Sequence, residues 1–331
     1  MNTQPNGVHT APASAPFASP LGSLPLAPGA IPPTVTPAIK PTRLLYWSVR
    51  RELWENRSIY IAPLAVAAVA LFGFLISTIG MPERRRAVLL LDPAKQVALV
   101  SQPYDIVASI LILTAFVVGA FYCLDALYAE RRDRSILFWK SLPVSDMTTV
   151  LSKASIPLVV LPLLIFAIVV CTQLIMLLWS SAVLLPSGLA ATTWTRFNLF
   201  QQTPILLYGL SVHVLWFAPI YGWLLLVSCW ARRTPFLWAV LPPFALFAVE
   251  MIAFGHSYVA DLLKYRLVGA MSEAFVTGAI SSKAQGGGDI NSLAQLDPLK
   301  FLGSPGLWIG LAVAAAFIAV AVLLRRNREP I

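Results

Sequence analysis

Three ionisable residues stand within or at the rim of long apolar runs: Asp125, His213 and Glu250. Charge is costly in hydrocarbon. Where it occurs it marks an ion or proton path, a substrate contact or a paired structural group. Glu250 lies fifteen residues beyond Pro235, about 22 Å along a helix. That places it past the midplane of a span starting at Pro235. His213, on the preceding run, enters from the opposite side and falls within reach of it. Glu250 and His213 are thus a candidate pathway pair. The plainer alternative is a locally paired or snorkelling carboxylate that steadies the bundle. Asp125, near the end of its run, reads as an interfacial carboxylate.

The sequence holds few other chemical groups. The histidines are His9, His213 and His256, and none belongs to an H-E-x-x-H zinc helix. There is no G-x-S-x-G nucleophile turn, and no Gly-Lys pair to build a phosphate-cradling G-x-x-x-x-G-K-[ST] loop. The chain reads as a non-enzyme, with no catalytic, cofactor-binding or metal residues. Cys123, Cys171 and Cys229 lie in apolar runs and read as small buried hydrophobes.

Composition supplies the setting. Of 331 residues, 58% are hydrophobic and only 12% charged, against about 25% charged in soluble domains. Mean hydropathy is +0.75. This is the profile of an integral membrane protein. The net charge of +9 then reads as a topology signal and a contact with lipid headgroups, not as a nucleic-acid footprint. Residues 1–42 are rich in Pro and Ala, without the basic and apolar regions of a signal peptide. They read as a disordered tail.

Six apolar segments follow, at about 59–79, 106–128, 155–178, 204–230, 235–254 and 305–324. Each is near or above the ~20 residues needed to cross a bilayer, and backbone in lipid must be helical. The expected fold is an all-α integral membrane protein with six transmembrane helices and both termini cytosolic. Pro157, Pro162, Pro219, Pro242 and Pro243 predict kinks. Placing both ends in the cytosol puts fifteen of the 24 Lys and Arg on the inner side, as the positive-inside rule asks. Arg84, Arg85 and Arg86 disagree. They read as capping the first span at outer headgroups or as binding an anionic ligand. The 255–304 outer loop contains "YVADLLKYRLVGAMSEAF", expected to be an amphipathic helix, and a flexible "AQGGGD" linker.

Two cytosolic elements are patterned. Residues 43–58 read as an amphipathic elbow helix in the membrane interface, with Trp47 and Trp54 at headgroup depth. Arg50, Arg51, Glu52 and Glu55 fill its polar face; the alternative is a plain extension of the first span. The loop 129–153 opens with "ERRDR", Glu130 to Arg134, expected to be a solvated charged patch. Ser135 then caps a short helix over Ile136, Leu137, Phe138 and Trp139, which Pro143 ends. Ser145 and Asp146 read as the cap and first-turn anion of the next helix. Exposed Leu, Phe and Trp beside charge suit a protein interface. They equally suit a helix pressed onto headgroups.

"YAERRDRSILFWKSLPVSDMTTVLSK", Tyr128 to Lys153, resembles the first cytosolic loop of type-2 ATP-binding-cassette (ABC) transporter permeases. The shared features are Glu130-Arg131, the apolar run Ile136 to Trp139, Leu142-Pro143-Val144-Ser145, and Lys153. The resemblance implies a permease subunit of an ATP-driven exporter, multi-pass in a bacterial inner membrane. It implies a coupling role for Glu130, Arg131, Arg132, Arg134, Leu137, Phe138, Trp139, Leu142 and Pro143. The expected partners are a separate ATPase subunit, which holds the ATP and Mg, a second permease subunit, and membrane lipids, with no nucleic acid. The alternative is an ATP-independent secondary transporter or channel-like protein, although internal repeats are not evident.

The topology has a direct check in a cysteine-free background. A cysteine at Ser282 is expected to react with a membrane-impermeant maleimide in whole cells whose outer barrier has been opened, and one at Ser135 to stay unlabelled. The opposite pattern inverts the orientation.

Overall fold

The computed structural model describes residues 41–133, 145–276 and 293–327. The tail, the linker and the loop positions Arg134, Leu137, Phe138, Trp139, Leu142 and Pro143 fall outside the described residues. Six helices are long and apolar enough to cross a membrane, in agreement with the six segments expected from sequence.

In chain order the helices are α1 (Pro41–Glu55), α2 (Ser58–Ser77), α3 (Met81–Leu89), α4 (Pro93–Ala126), α5 (Tyr128–Arg132) and α6 (Asp146–Ser155). A π-helical turn, Ile156–Val160, joins α6 to α7 (Leu161–Leu184). Then come α8 (Ala190–Arg196), α9 (Leu199–Trp230), α10 (Pro235–Phe254), α11 (Tyr258–Ala274), α12 (Pro298–Gly303) and α13 (Pro305–Asn327). The spans are α2, α4, the joined α6–α7, α9, α10 and α13.

Local chemistry explains the boundaries. Gly80, at φ 71°, turns the chain into α3 after the first span, and Gly255 ends α10 at φ 66°, the left-handed geometry that glycine adopts without strain. Ser145 caps α6 by accepting from the amide of Thr148 at 3.1 Å, and Asp146 follows in the first turn, as the sequence indicated. Pro157 has no N–H to give the helix ladder. The chain answers with the wider π turn, a bulge that keeps the span continuous.

α9 is the central helix, packed against α13, α4, α7, α10 and α11. Its Trp216 and Tyr221 are fully buried, in a core shared with Tyr104, Leu111, Ile165 and Met176. Small residues permit the closest approach. A Cβ on Gly222 would lie 3.2 Å from the carbonyl oxygen of Ala314 on α13. α10 is the contrast: it buries only Ala239 and leaves Phe236, Leu241, Phe244 and Ile252 outward.

Several expectations are refined. The second span is longer than 106–128, because α4 starts at Pro93 and buries Val100 and Tyr104 before the expected boundary. The amphipathic stretch of the outer loop is the helix α11, held to the bundle where Trp216 Nε1 donates to the Arg266 carbonyl at 2.9 Å. Its end is pinned by paired amides: Val276 donates to Gln295 O at 3.1 Å, and Asp297 to Ala274 O at 3.1 Å. Arg84 is exposed. It folds back on the carbonyls of Ser77 and Ile79, which the end of α2 leaves without helix partners.

The α9–α13 contact predicts an asymmetry between glycines. Gly222→Val drives its side chain into backbone and should cost about 1–3 kcal/mol. Gly73→Val meets nothing within 4 Å and should leave the unfolding midpoint in detergent unchanged.

Candidate functional site

The ends of α1, α5, α6 and α13 meet at one end of the bundle. Helical periodicity sets the first contributor. Val49 and Leu53 of α1 pack on the core, so Glu52, between them on the same face, is carried inward. The structure buries four charges here: Glu52 is 2% exposed, Glu130 5%, Lys153 2% and Arg325 3%. Lys153 Nζ donates to Glu52 Oε1 at 2.9 Å and approaches Glu130 Oε1 at 3.1 Å. Arg325 Nη1 donates to Glu130 Oε2, and Arg325 Nε to Asp146 Oδ1 at 3.0 Å. The Tyr122 hydroxyl donates to Glu52 Oε2 at 2.9 Å. Two carboxylates thus face two cations, with Asp146 and Arg51 at the rim.

A second set of bonds fixes the break between α4 and α5. The amides of Leu127 and Tyr128 both donate to Ser228 Oγ at 2.9 Å. Arg131 reaches the same place, its Nη2 donating to the carbonyls of Ser228 and Ala231. The end of the second span is therefore tied to the end of the fourth. Lone carbonyls at a helix end are natural acceptors for a cation.

These positions correct the sequence reading in three ways. Glu130 and Arg131 are not part of a solvated patch; both are buried, because each has a partner inside the bundle. Arg132 and Asp133 are exposed and pair with each other at 3.0 Å. Glu52 is not on a solvent face of α1; Arg43, Leu45, Tyr46, Trp47, Arg50, Trp54 and Glu55 face out. Third, Glu250 and His213 do not meet. Glu250 accepts from Ser257 Oγ at 2.7 Å and from the Val259 amide at 2.9 Å, which fastens the start of α11 to α10. His213 lies against Phe116 and Phe217, with ring centroids 6.0 and 4.5 Å away. Asp125 is exposed, as expected of an interfacial carboxylate.

Sequence reasoning missed Lys153, Arg325, Tyr122 and Ser228 as cluster members. From sequence, Lys153 was a feature of the family resemblance and Arg325 one of the fifteen inner-side Lys and Arg; their partners lie 101 and 195 residues away. Glu52 alone carried a local signal, its spacing from Val49 and Leu53.

The cluster offers no acid–base pair poised on a cavity, and among the described residues no group of His, Cys, Asp and Glu is placed to hold a metal. Arg325 grips Glu130 just before the 134–144 segment and Asp146 just after it, so both feet of that segment stand on one guanidinium.

Fold and site together define a class: an all-helical, multi-pass membrane protein with a buried charge cluster at one end. No family model, curated protein or solved structure matches the chain.

Buried ion pairs contribute little over apolar packing, yet removing one member leaves an unmatched charge. Lys153→Met should therefore destabilise by about 3–5 kcal/mol. The double change Glu52→Met with Lys153→Met should recover much of that loss. A double-mutant cycle on denaturant unfolding in detergent measures the coupling. Additive single effects would show that the pair is not linked.

Proposed function

We propose that this chain is the transmembrane permease subunit of an ATP-driven ABC transporter, working as an exporter in a bacterial inner membrane. A separate ATPase subunit supplies hydrolysis, with ATP and Mg on that partner, and a second permease subunit completes the pathway. The observation that carries the reading is the grip of Arg325 on Glu130 and Asp146, on either side of the 134–144 segment. A loop that transmits force needs both feet on rigid ground. Here that ground is tied to the second, third and sixth spans, and through Lys153 and Glu52 to α1 ahead of the first.

The charged end is the cytosolic end in this proposal, in keeping with the Lys and Arg bias. α1 is the elbow helix, lying along the inner headgroups. Its exposed Trp47 and Trp54 flank Arg50, whose guanidinium carbon is 5.2 and 5.3 Å from the two ring centroids. Aromatic groups paired with arginine suit that depth. The outward faces of α10 leave room for the second permease subunit beside lipid. Leu137, Phe138, Trp139, Leu142 and Pro143 make the contact with the ATPase. Arg132 and Arg134 steer association, and Glu130 and Arg131 hold the base. Movement of the docked loop then passes through Glu130, Asp146 and Arg325 into three spans at once.

Buried aromatic anchors in protein interfaces cost ~2 kcal/mol or more on truncation. Trp139→Ala should weaken ATPase binding by about thirtyfold, or keep binding and disconnect hydrolysis from transport. The measurement is co-purification of wild type and Trp139→Ala with a candidate ATPase, plus ATP turnover of each complex. Unchanged recovery, turnover and transport in Trp139→Ala would defeat the coupling role. A transporter that works with no ATPase bound would favour an ATP-independent carrier.

A further inference from the structure

α11 packs along α9, α10 and α12, and it reaches the last span, α13, through the side chains of Tyr265 and Arg266. Arg266 Nη2 donates to the carbonyl of Gly306 at 2.6 Å. Glycine makes the room for it. A Cβ on Gly310 would lie 2.6 Å from Arg266 Nη1 and 2.7 Å from Cζ, and one on Gly306 would lie 3.1 Å from the Tyr265 ring. Trp216 of α9 is the floor of this notch. The guanidinium carbon is 4.8 Å from a Trp216 ring centroid, a cation–π distance. Tyr265 meets the same indole edge-on at 5.2 Å.

The seat fits closely, yet it is costly for a charge. Arg266 has no carboxylate partner among the described residues, and its Nη1 is buried without a hydrogen bond. α13 starts at Pro305, so the guanidinium lies at the positive end of that helix dipole, where a cation is disfavoured. Burial pulls the guanidinium below its ordinary value, with Tyr265 acting in the opposite sense. Water would satisfy every guanidinium N–H and remove these costs. The ends of α11 are fastened separately. Glu250 ties its first turn to α10, a span that buries only Ala239. Tyr208 ties its last residue to α9, the hydroxyl donating to Ala274 O at 2.9 Å. One end therefore rests on a peripheral span and the other on the central helix.

We propose that α11 is a hinged strap and Arg266 its latch. The guanidinium leaves the Gly306–Gly310 notch reversibly. α11 then swings about its Ala274 end, together with the Glu250 end of α10, and uncovers Trp216. This device goes beyond the transport reading and stands without it.

Native-state hydrogen exchange detects local opening segment by segment, so the test follows the full chain in detergent by mass spectrometry. In wild type the amides of α11 should exchange faster than those of α9 and α13. Arg266→Ala removes the latch, and Gly310→Ala fills its seat while keeping the arginine. Each should speed exchange over residues 258–270 by roughly tenfold or more, the scale of one lost hydrogen bond to a charged group. Protection of α9 and α13 should not change. Gly303→Ala, whose Cβ meets nothing within 4 Å, should leave α11 at the wild-type rate. The proposal is overturned if wild-type α11 is protected as fully as α9, or if neither variant speeds its exchange. It is overturned equally if protection falls in α9 and α13 as much as in α11, which would make Arg266 part of the core. Should Arg266→Ala fail to fold, Gly310→Ala decides.

Discussion

Glu130 is the residue on which the charged end is organised. A carboxylate removed from water must be matched by cations close enough to replace hydration. Glu130 finds two, Lys153 at 3.1 Å and Arg325 in direct contact. Each cation then has a second duty, Lys153 on Glu52 and Arg325 on Asp146. None of these side chains can leave without exposing another. The result is a joint that holds four helices by matched charge rather than by apolar burial. This suits a membrane protein, in which lipid is as apolar as the core and hydrophobic burial does not drive helix to helix.

Elsewhere the bundle relies on shape. α9 and α13 approach at Gly222 closely enough for a carbonyl to stand over it. Tyr104, Trp216 and Tyr221 fill the centre as large rigid rings. Against this firm body α10 is loosely attached. It enters through Thr234, the described non-glycine residue with positive φ, 45°, and is secured at its far end by the bonds of Glu250 to α11. The molecule thus has a stiff set of spans and one peripheral span anchored mainly at its ends.

Much of this was legible in the sequence. Length and apolarity place six spans, and Ser145 with Asp146 announces α6. These are local signals, readable because lipid leaves a chain few options besides helix. The charge cluster was not legible. A lysine or arginine at a span end looks the same whether it faces headgroups or a buried glutamate 101 or 195 residues away. Distance along a helix likewise placed Glu250 at a depth within reach of His213. Rotation about the helix decided otherwise, turning it to the amide of Val259. The run of three arginines shows the same ambiguity. Its members separate into a carbonyl binder, a buried charge and an exposed one, which spacing alone does not resolve.

The long separation between Glu130 and Arg325 bears on biosynthesis. A ribosome delivers the second span well before the sixth, so for most of translation Glu130 and Asp146 stand in the membrane interface without their arginine. The cluster closes only when the last span has been inserted and its end drawn in. A chain truncated just before Arg325 keeps all six apolar segments yet lacks the guanidinium that bridges Glu130 and Asp146. The same guanidinium that steadies the finished protein thereby distinguishes it from an incomplete one.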